Sequence, residues 1–180
     1  MHMTRLLLLA LGFTSLLTTA TAADSARWWR GNLHTHSLWS DGDDFPEMIA
    51  GLYKTNGYHF LAFTEHNTLH LTNKWVNVDT HKGAKLAFPK YSARWPKSWI
   101  ETRAGKDNQT EVRLKFFSEY RGQFEEPGRF LLIQSEEITD RWKTAPVHMN
   151  AHNLREVIKP RGGPAEIDVA VGLVADHRVG

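Results

Sequence analysis

Two histidines separated by one residue, with an aspartate close behind, form the first group in this sequence that could bind a metal. His34 and His36 end the segment Gly-Asn-Leu-His-Thr-His, and Asp41 follows in the turn-forming stretch Ser-Asp-Gly-Asp. Alternate side chains of a strand point to one face, so both imidazoles can bind one ion. The turn returns the Asp41 carboxylate to the end of the strand. This donor set suits manganese, iron or zinc. The alternative is a polar turn that carries two histidines by chance.

Further polar residues follow two later apolar runs. The run at 58–64 leads to His66, and the run at 130–133 leads to the adjacent Glu136 and Glu137. Parallel strands place their carboxyl ends at one edge, where ligands bind, so we expect His66 to lie near the first group. Only one of two adjacent glutamates on a strand can face that edge. A carboxylate there can bridge two ions about 3.5–4 Å apart, as in two-metal hydrolytic centres.

A fourth strand is predicted at 147–150, and it adds the imidazole of His148 to the same edge. His70 and His81 have no partner at ligand spacing and are predicted to be surface residues. The residues predicted to support the ligands by hydrogen bonds, without binding metal themselves, are Glu65, Asn150 and His152.

The elements that must position these residues alternate between strand and helix. A strand over 30–34, a helix from Pro46 to Gly57 capped by Asp43 or Asp44, and a buried strand over 58–64 predict a right-handed β-α-β unit.

Apolar residues in steps of four predict a second helix over 111–124. A final helix is predicted at 166–175, with Asp176 and His177 at its end as surface residues. The intervening region 69–105 is rich in tryptophan. It is either a lid that selects the substrate or a segment whose aromatic residues cover a satellite core.

The N-terminus has the pattern of a secretory signal peptide. One cation, Arg5, precedes an apolar run at 6–17 and the small-residue ending Ala-Thr-Ala, which predicts a signal peptide over residues 1–22. The alternative of a membrane-spanning helix is disfavoured because polar threonines follow the apolar run too early. We therefore expect a secreted or periplasmic protein without a stable membrane anchor after cleavage.

Composition excludes several classes of site. The 180-residue chain contains no cysteine, so a metal must be held by histidine or carboxylate. Loss of Arg5 with the signal peptide lowers the formal charge from +2 to +1, which leaves no basic field that would indicate nucleic-acid binding. The remaining chain suffices for one domain but not for a complete eight-fold barrel of about 250 residues.

Taken together, the spaced motifs resemble the early motifs of the PHP (polymerase and histidinol phosphatase) family of metal-dependent phosphoesterases. The resemblance extends from residue 30 to about residue 161. The motifs in chain order are His34-x-His36 with Ser40-Asp41-Gly42, then Thr64-Glu65-His66-Asn67, then Ser135-Glu136-Glu137-Ile138, then His148.

This resemblance implies an α/β fold that forms the N-terminal part of a distorted seven-stranded β/α barrel. It implies two or three divalent ions (Mn, Zn or Fe) at the carboxyl ends of the strands, with Glu137 as a bridging ligand and Asp41 on an outer ion. The implied metal ligands are His34, His36, Asp41, His66, Glu137 and His148.

The sequence departs from the family pattern at two positions and in its later part. Glu65 stands where the family usually has Asp, and Ser135 stands where a Gly is common. The later motifs, a His near a Pro and a final Asp-x-His, do not follow. The resemblance therefore predicts a PHP-like hydrolase domain over 23–180 that is incomplete at its C-terminal end.

The function predicted on this basis is metal-dependent hydrolysis of a small-molecule phosphoester by a secreted or periplasmic enzyme. One alternative is hydrolysis of another ester or an amide by the same metals. Another is a metal-binding or recognition module without catalysis, which would have a closed metal shell. Catalytic residues beyond the metal ligands are not indicated.

Overall fold

A computed structural model describes residues 26–164 of this chain as a mixed α/β structure. The predicted signal peptide at 1–22, the predicted helix at 166–175, and Asp176 and His177 lie outside the described residues. Within 26–164, no helix has both the length and the apolar character needed to cross a bilayer.

Strands and helices alternate at first and then give way to a hairpin. The helices are α1 (Pro46–Thr55), α2 (Lys82–Arg94) and α3 (Phe117–Phe124). The strands are β1 (Gly31–Asn32), β2 (Phe60–His66), β3 (Trp75–Asn77), β4 (Thr102–Ala104), β5 (Thr110–Arg113), β6 (Leu131–Trp142) and β7 (Ala145–His152).

The main sheet has four strands in the order β1-β2-β6-β7. The first three run parallel, and β7 pairs antiparallel with β6. In this register His66 lies beside Glu137, and Thr139 lies beside His148. The sheet therefore brings three separate stretches of the sequence to one edge.

The predicted seven-stranded β/α barrel is wrong. The described residues form a curled four-stranded half-barrel sheet with three helices. The physical reason lies in β6, which continues for 12 residues and turns back at Lys143 (φ 55°) into β7. A barrel would need a helical crossover to a parallel strand at this point.

The first β-α-β unit is present, although its boundaries differ from the prediction. The strand over 30–34 shrinks to the two residues of β1, so the two histidines that follow lie in irregular chain. Helix α1 begins at Pro46, but the Asp44 side chain accepts a hydrogen bond from the Phe45 N–H and does not cap the helix. Gly57 ends the helix with φ 73°.

A second, three-stranded sheet in the order β3-β5-β4 occupies much of the predicted excursion. The predicted helix over 111–124 is wrong in its first part, because Val112 pairs with Val76 on one side and Thr102 on the other. Val112 and Leu114 are both buried, so the strand period of two competes with the helical step of four. Helix α3 forms only from Phe117.

The aromatic residues of the excursion form a satellite core, as one of the two alternatives predicted. Tyr91 of α2 is buried and stacks on Phe45 with ring centroids 3.9 Å apart. Trp95 stacks on Trp99 at 5.1 Å and also contacts the main core beneath the sheet. The excursion is thereby fixed to α1 and the main sheet.

A carboxyl group is buried within this core. Glu47 is fully buried, and its Oε1 accepts hydrogen bonds from the Tyr91 hydroxyl (2.7 Å) and the Trp99 indole N–H (3.2 Å). Its Oε2 has no hydrogen-bond partner within the described part of the chain. Burial raises the pKa of Glu47 above its usual value, and the two hydrogen bonds oppose this only in part.

We expect Glu47→Gln to stabilise the protein at alkaline pH. Because the folded-state pKa is raised, the native protein holds more protons than the unfolded chain above the usual glutamate pKa, and stability falls as pH rises. The neutral amide of the variant avoids this loss, so the variant should gain roughly 1–3 kcal/mol at about pH 8 and much less at about pH 5. Urea unfolding at both pH values measures the difference. Exposed Glu156→Gln is the control, and an equal gain at both pH values would contradict the raised pKa.

Candidate metal centre

Six side chains from four stretches of the chain converge at the carboxyl ends of the parallel strands. They form three overlapping groups, within each of which the potential ligand atoms lie within 4.8 Å of one another. The groups are His34 with His36 and Glu137, His36 with Asp41 and His66, and His66 with Glu137 and His148. All six predicted ligands are therefore brought together.

The first group has its donor atoms turned toward one another. The Nε2 atoms of His34 and His36 are 2.9 Å apart, and they lie 3.3 Å and 3.0 Å from Glu137 Oε2. Two imidazole nitrogens at this distance repel unless a proton or a cation lies between them. The donor chemistry and the convergence therefore fit a divalent cation.

Asp41 connects the first histidine pair to His66. Its Oδ1 lies 2.9 Å from His36 Nδ1, and its Oδ2 lies 3.4 Å from His66 Nε2. Partial burial opposes ionisation of this carboxyl, but the two imidazoles hold its pKa below the usual value. Asp41 is therefore ionised at neutral pH and could offer an oxygen to a cation.

Glu137 is the common centre of the cluster. Its Oε1 lies 3.1 Å from His148 Nδ1, and its Oε2 lies 3.3 Å from His66 Nδ1. Thr139 holds the same two rings, since its Oγ1 lies 2.5 Å from His66 Nδ1 and 3.3 Å from His148 Nδ1. Among residues 26–164, no lysine or arginine pairs with Glu137. The basic side chains beside its carboxylate are the four imidazoles.

The adjacent glutamate points away from the cluster, as strand alternation predicts. Glu136 is buried on the other face of β6, where its Oε2 accepts a hydrogen bond from the Ile158 N–H (2.8 Å). Burial raises the pKa of Glu136 to about 7.

The cluster is open on one side. Glu137 is buried, whereas the side chains of His34, His148 and Asp41 are 50%, 43% and 67% exposed. Solvent and a substrate can therefore reach the ligands without displacing any other part of the described chain.

Asn32 fixes the backbone from which His34 projects. Its Oδ1 accepts a hydrogen bond from the His34 N–H (3.1 Å), and its amide donates to the Tyr53 hydroxyl (2.6 Å) and to Thr35 Oγ1 (2.8 Å). The Thr35 carbonyl in turn accepts from the Thr64 N–H (2.9 Å). These contacts replace the strand that was predicted here and still aim both histidines at the same point.

Glu65 supports the loop that carries the first ligands. It is fully buried and accepts hydrogen bonds from the Ser37 N–H (3.0 Å), the Ser37 hydroxyl (2.5 Å) and the Ser40 hydroxyl. Burial alone would raise its pKa, but the hydrogen bonds from His70 and from the Ser37 and Ser40 hydroxyls lower it. Glu65 is therefore an ionised acceptor beneath the loop.

His70, which was predicted to be a surface residue, is buried against Glu65. Its Nε2 lies 2.9 Å from Glu65 Oε1, its Nδ1 lies 2.7 Å from the Tyr120 hydroxyl, and its ring stacks on Trp39. Burial lowers the pKa of His70, so the ring is neutral. The spacing Glu-x-x-x-x-His gave no signal of this contact. His81 instead caps α2, where its Nδ1 accepts from the Ala84 N–H (3.1 Å).

The two remaining supporting residues lie on β7, on the face of the cluster. His152 Nδ1 lies 3.0 Å from Ser135 Oγ, and burial lowers the pKa of His152. Asn150 is exposed and lies opposite Glu137 in the strand register. Within residues 26–164, His152 therefore has a side-chain hydrogen bond that orients it, and Asn150 has none.

Comparison with protein-family models, curated proteins and solved structures gave no match to this chain. The resemblance to the PHP family stays a prediction from the motifs.

An apolar cavity of about 720 Å³ lies away from the cluster, near the starts of β2 and β6. Its lining includes Trp29, Leu33, Phe60, Leu131 and Ile133, and none of the six clustered side chains. The cavity and the cluster therefore lie at opposite ends of these strands.

Proposed function

We propose that this protein is a metal-dependent hydrolase that acts on phosphoesters. The observation that carries the proposal is the overlap of the three donor groups, in which His36, His66 and Glu137 each belong to two groups. Shared ligands place neighbouring ions close enough to act on one substrate. The similarity of the motifs to those of the PHP family supports the same conclusion.

The exposed side of the cluster favours catalysis over a structural site. Structural metal sites are closed by protein ligands, whereas catalytic sites keep positions for water and substrate. Three of the six side chains are more than two-fifths exposed, which supports an open site. A recognition module with a buried ion would have the opposite arrangement.

The clustered side chains would hold the ions, and the ions would supply the chemistry. Manganese, zinc or iron bound here would neutralise charge on phosphoryl oxygens and lower the pKa of a water molecule. His34, His36 and His66 would hold the ions through ring nitrogens, and Glu137 would contribute one carboxylate oxygen to each neighbouring group. His148, at the open side, would complete the donor group that it forms with His66 and Glu137.

We also propose, from the predicted signal peptide, that the protein works outside the cytoplasm. The support for this is the sequence pattern of residues 1–22. N-terminal sequencing of the exported chain would find a start at residue 23, whereas an intact N-terminus on an intracellular protein would contradict export.

Hydrolysis of aryl phosphates tests the proposed activity. We expect turnover of a phosphate monoester or diester when Mn²⁺ or Zn²⁺ is added to the full chain, and loss of turnover when the metal is chelated. The matched control is His81→Asn, which keeps a helix-capping side chain, lies outside the three donor groups and should retain full activity. Turnover of aryl esters or amides, but not phosphates, would favour the alternative hydrolase. No turnover with metal bound would contradict catalysis.

A further inference from the structure

A continuous chain of hydrogen bonds leads from the buried side of the main sheet to a proposed metal ligand. It passes from Tyr120 through His70, Glu65 and Ser40 to His36. Three of these five side chains are almost completely buried, so water does not compete for their hydrogen bonds. These hydrogen bonds are separate from the contacts that the six clustered side chains make with one another.

We propose that Glu65, held in place by His70, is a positioning residue that fixes the ring of His36 through the Ser40 hydroxyl. The effect of Glu65 on metal binding rests on the proposed function, whereas its effect on the orientation of the His36 ring does not.

The chemistry of each group sets the direction of every hydrogen bond in this chain. Both carboxyl oxygens of Glu65 accept from the Ser37 N–H, at 3.0 Å and 3.1 Å, so His70 Nε2–H and the Ser40 hydroxyl also donate to this carboxyl group. Because His70 is neutral, its Nδ1 accepts from the Tyr120 hydroxyl. The Ser40 hydroxyl has one proton, already donated, so its oxygen accepts from His36 Nδ1–H at 3.1 Å.

This direction decides which nitrogen of His36 is available for metal. With the proton on Nδ1, the lone pair is on Nε2, which is the atom that faces Glu137 Oε2 at 3.0 Å. Hydrogen bonds to the other ring nitrogen commonly set the tautomer of a metal-binding histidine. Glu65 therefore acts on the site without touching a bound ion or the substrate.

Two carboxylates among the described residues compete with Ser40 for the ring proton of His36. Asp41 Oδ1 lies 2.9 Å from His36 Nδ1, and Glu137 Oε2 lies 3.0 Å from His36 Nε2, where it favours the opposite tautomer in metal-free protein. A background that combines Asp41→Ala with Glu137→Ala removes both contacts, so that the path through Ser40 decides the tautomer.

Ring ¹⁵N chemical shifts of metal-free protein test the proposal directly. At a pH well above the usual histidine pKa of about 6.5, we expect His36 of the Asp41→Ala, Glu137→Ala double variant to be protonated on Nδ1. Glu65→Gln in this background should reverse the tautomer, since the Gln amide would donate to Ser40 and turn its hydroxyl toward His36. Ser40→Ala should remove the preference, and Ser40→Thr, which keeps the hydroxyl, should restore it.

Mn²⁺ affinity gives a second readout. Ser40→Ala should weaken binding about tenfold or more, while Ser92→Ala, on the exposed face of α2, should not change it. Persistence of the Nδ1-protonated tautomer in both Glu65→Gln and Ser40→Ala would overturn the proposal. If the unmodified chain binds no Mn²⁺, the proposed function fails, and the chemical shifts still decide the positioning role.

Discussion

Glu137→Gln is expected to abolish hydrolysis and most metal binding while leaving the fold intact. Glu137 belongs to two of the three donor groups, and its carboxylate lies within 3.3 Å of four imidazole rings. The amide has the same shape but no charge, and its NH₂ group cannot bind a cation. Loss of supporting contacts around metal ligands already costs about 10–100-fold, so we expect activity to fall by at least about 100-fold.

The matched control for this variant is Glu156→Gln, which makes the same chemical change at an exposed position. Metal content and turnover should be measured for both proteins at equal concentration, with circular dichroism to verify the fold. Full metal content and full rate in Glu137→Gln would contradict the assignment of the cluster.

Trp39→Ala is expected to produce the largest loss of stability, about 3–5 kcal/mol. Trp39 is buried, belongs to the satellite core and stacks on His70 with ring centroids 4.8 Å apart. Its carbonyl also accepts a hydrogen bond from Lys74. Because it lies between Ser37 and Asp41, its loss should loosen the loop that carries the first ligands.

The measurement is urea unfolding together with Mn²⁺ titration, and both stability and affinity should fall. The control is Trp28→Ala, which removes a side chain that is 98% exposed and should change stability by less than about 0.5 kcal/mol. A large loss of stability with unchanged Mn²⁺ affinity would show that the loop does not depend on this anchor.

The convergence of His66 and Glu137 followed from the sequence because parallel strands align their ends, whereas His148 reaches the cluster on the antiparallel strand β7. The apolar runs before His66 and Glu137 fixed two neighbouring strands, and the register sets these residues side by side. His34 and His36 lie in the cluster although the local structure predicted for them was wrong. Hydrogen bonds from Asn32 and Thr35 position them where a longer strand was expected.

The barrel prediction failed because apolar runs identify strands but not the direction in which they pair. Nothing in the stretch around Lys143 distinguishes a hairpin from a longer connection until its positive φ is known. The same ambiguity produced the wrong helix over 111–113, where the steps of two and four share apolar positions.

The buried partners of the site were the least predictable from sequence. The contact of His70 with Tyr120 joins residues 50 positions apart, and its stack on Trp39 depends on how the excursion folds. His70 lies between Leu69 and Leu71, and this local pattern does not identify the side chains that it contacts. These contacts come from tertiary packing, which the pattern of single elements does not contain.

Mn²⁺ titration of the metal-free full chain, followed by electron paramagnetic resonance, tests the proposed metal centre most directly. We expect at least two bound ions per chain, with spin coupling between them because the donor groups share Glu137, His36 and His66. We also expect Glu137→Gln to lose this coupling. Binding of no ion, or the same binding curve for the unmodified chain and Glu137→Gln, would contradict a shared metal centre.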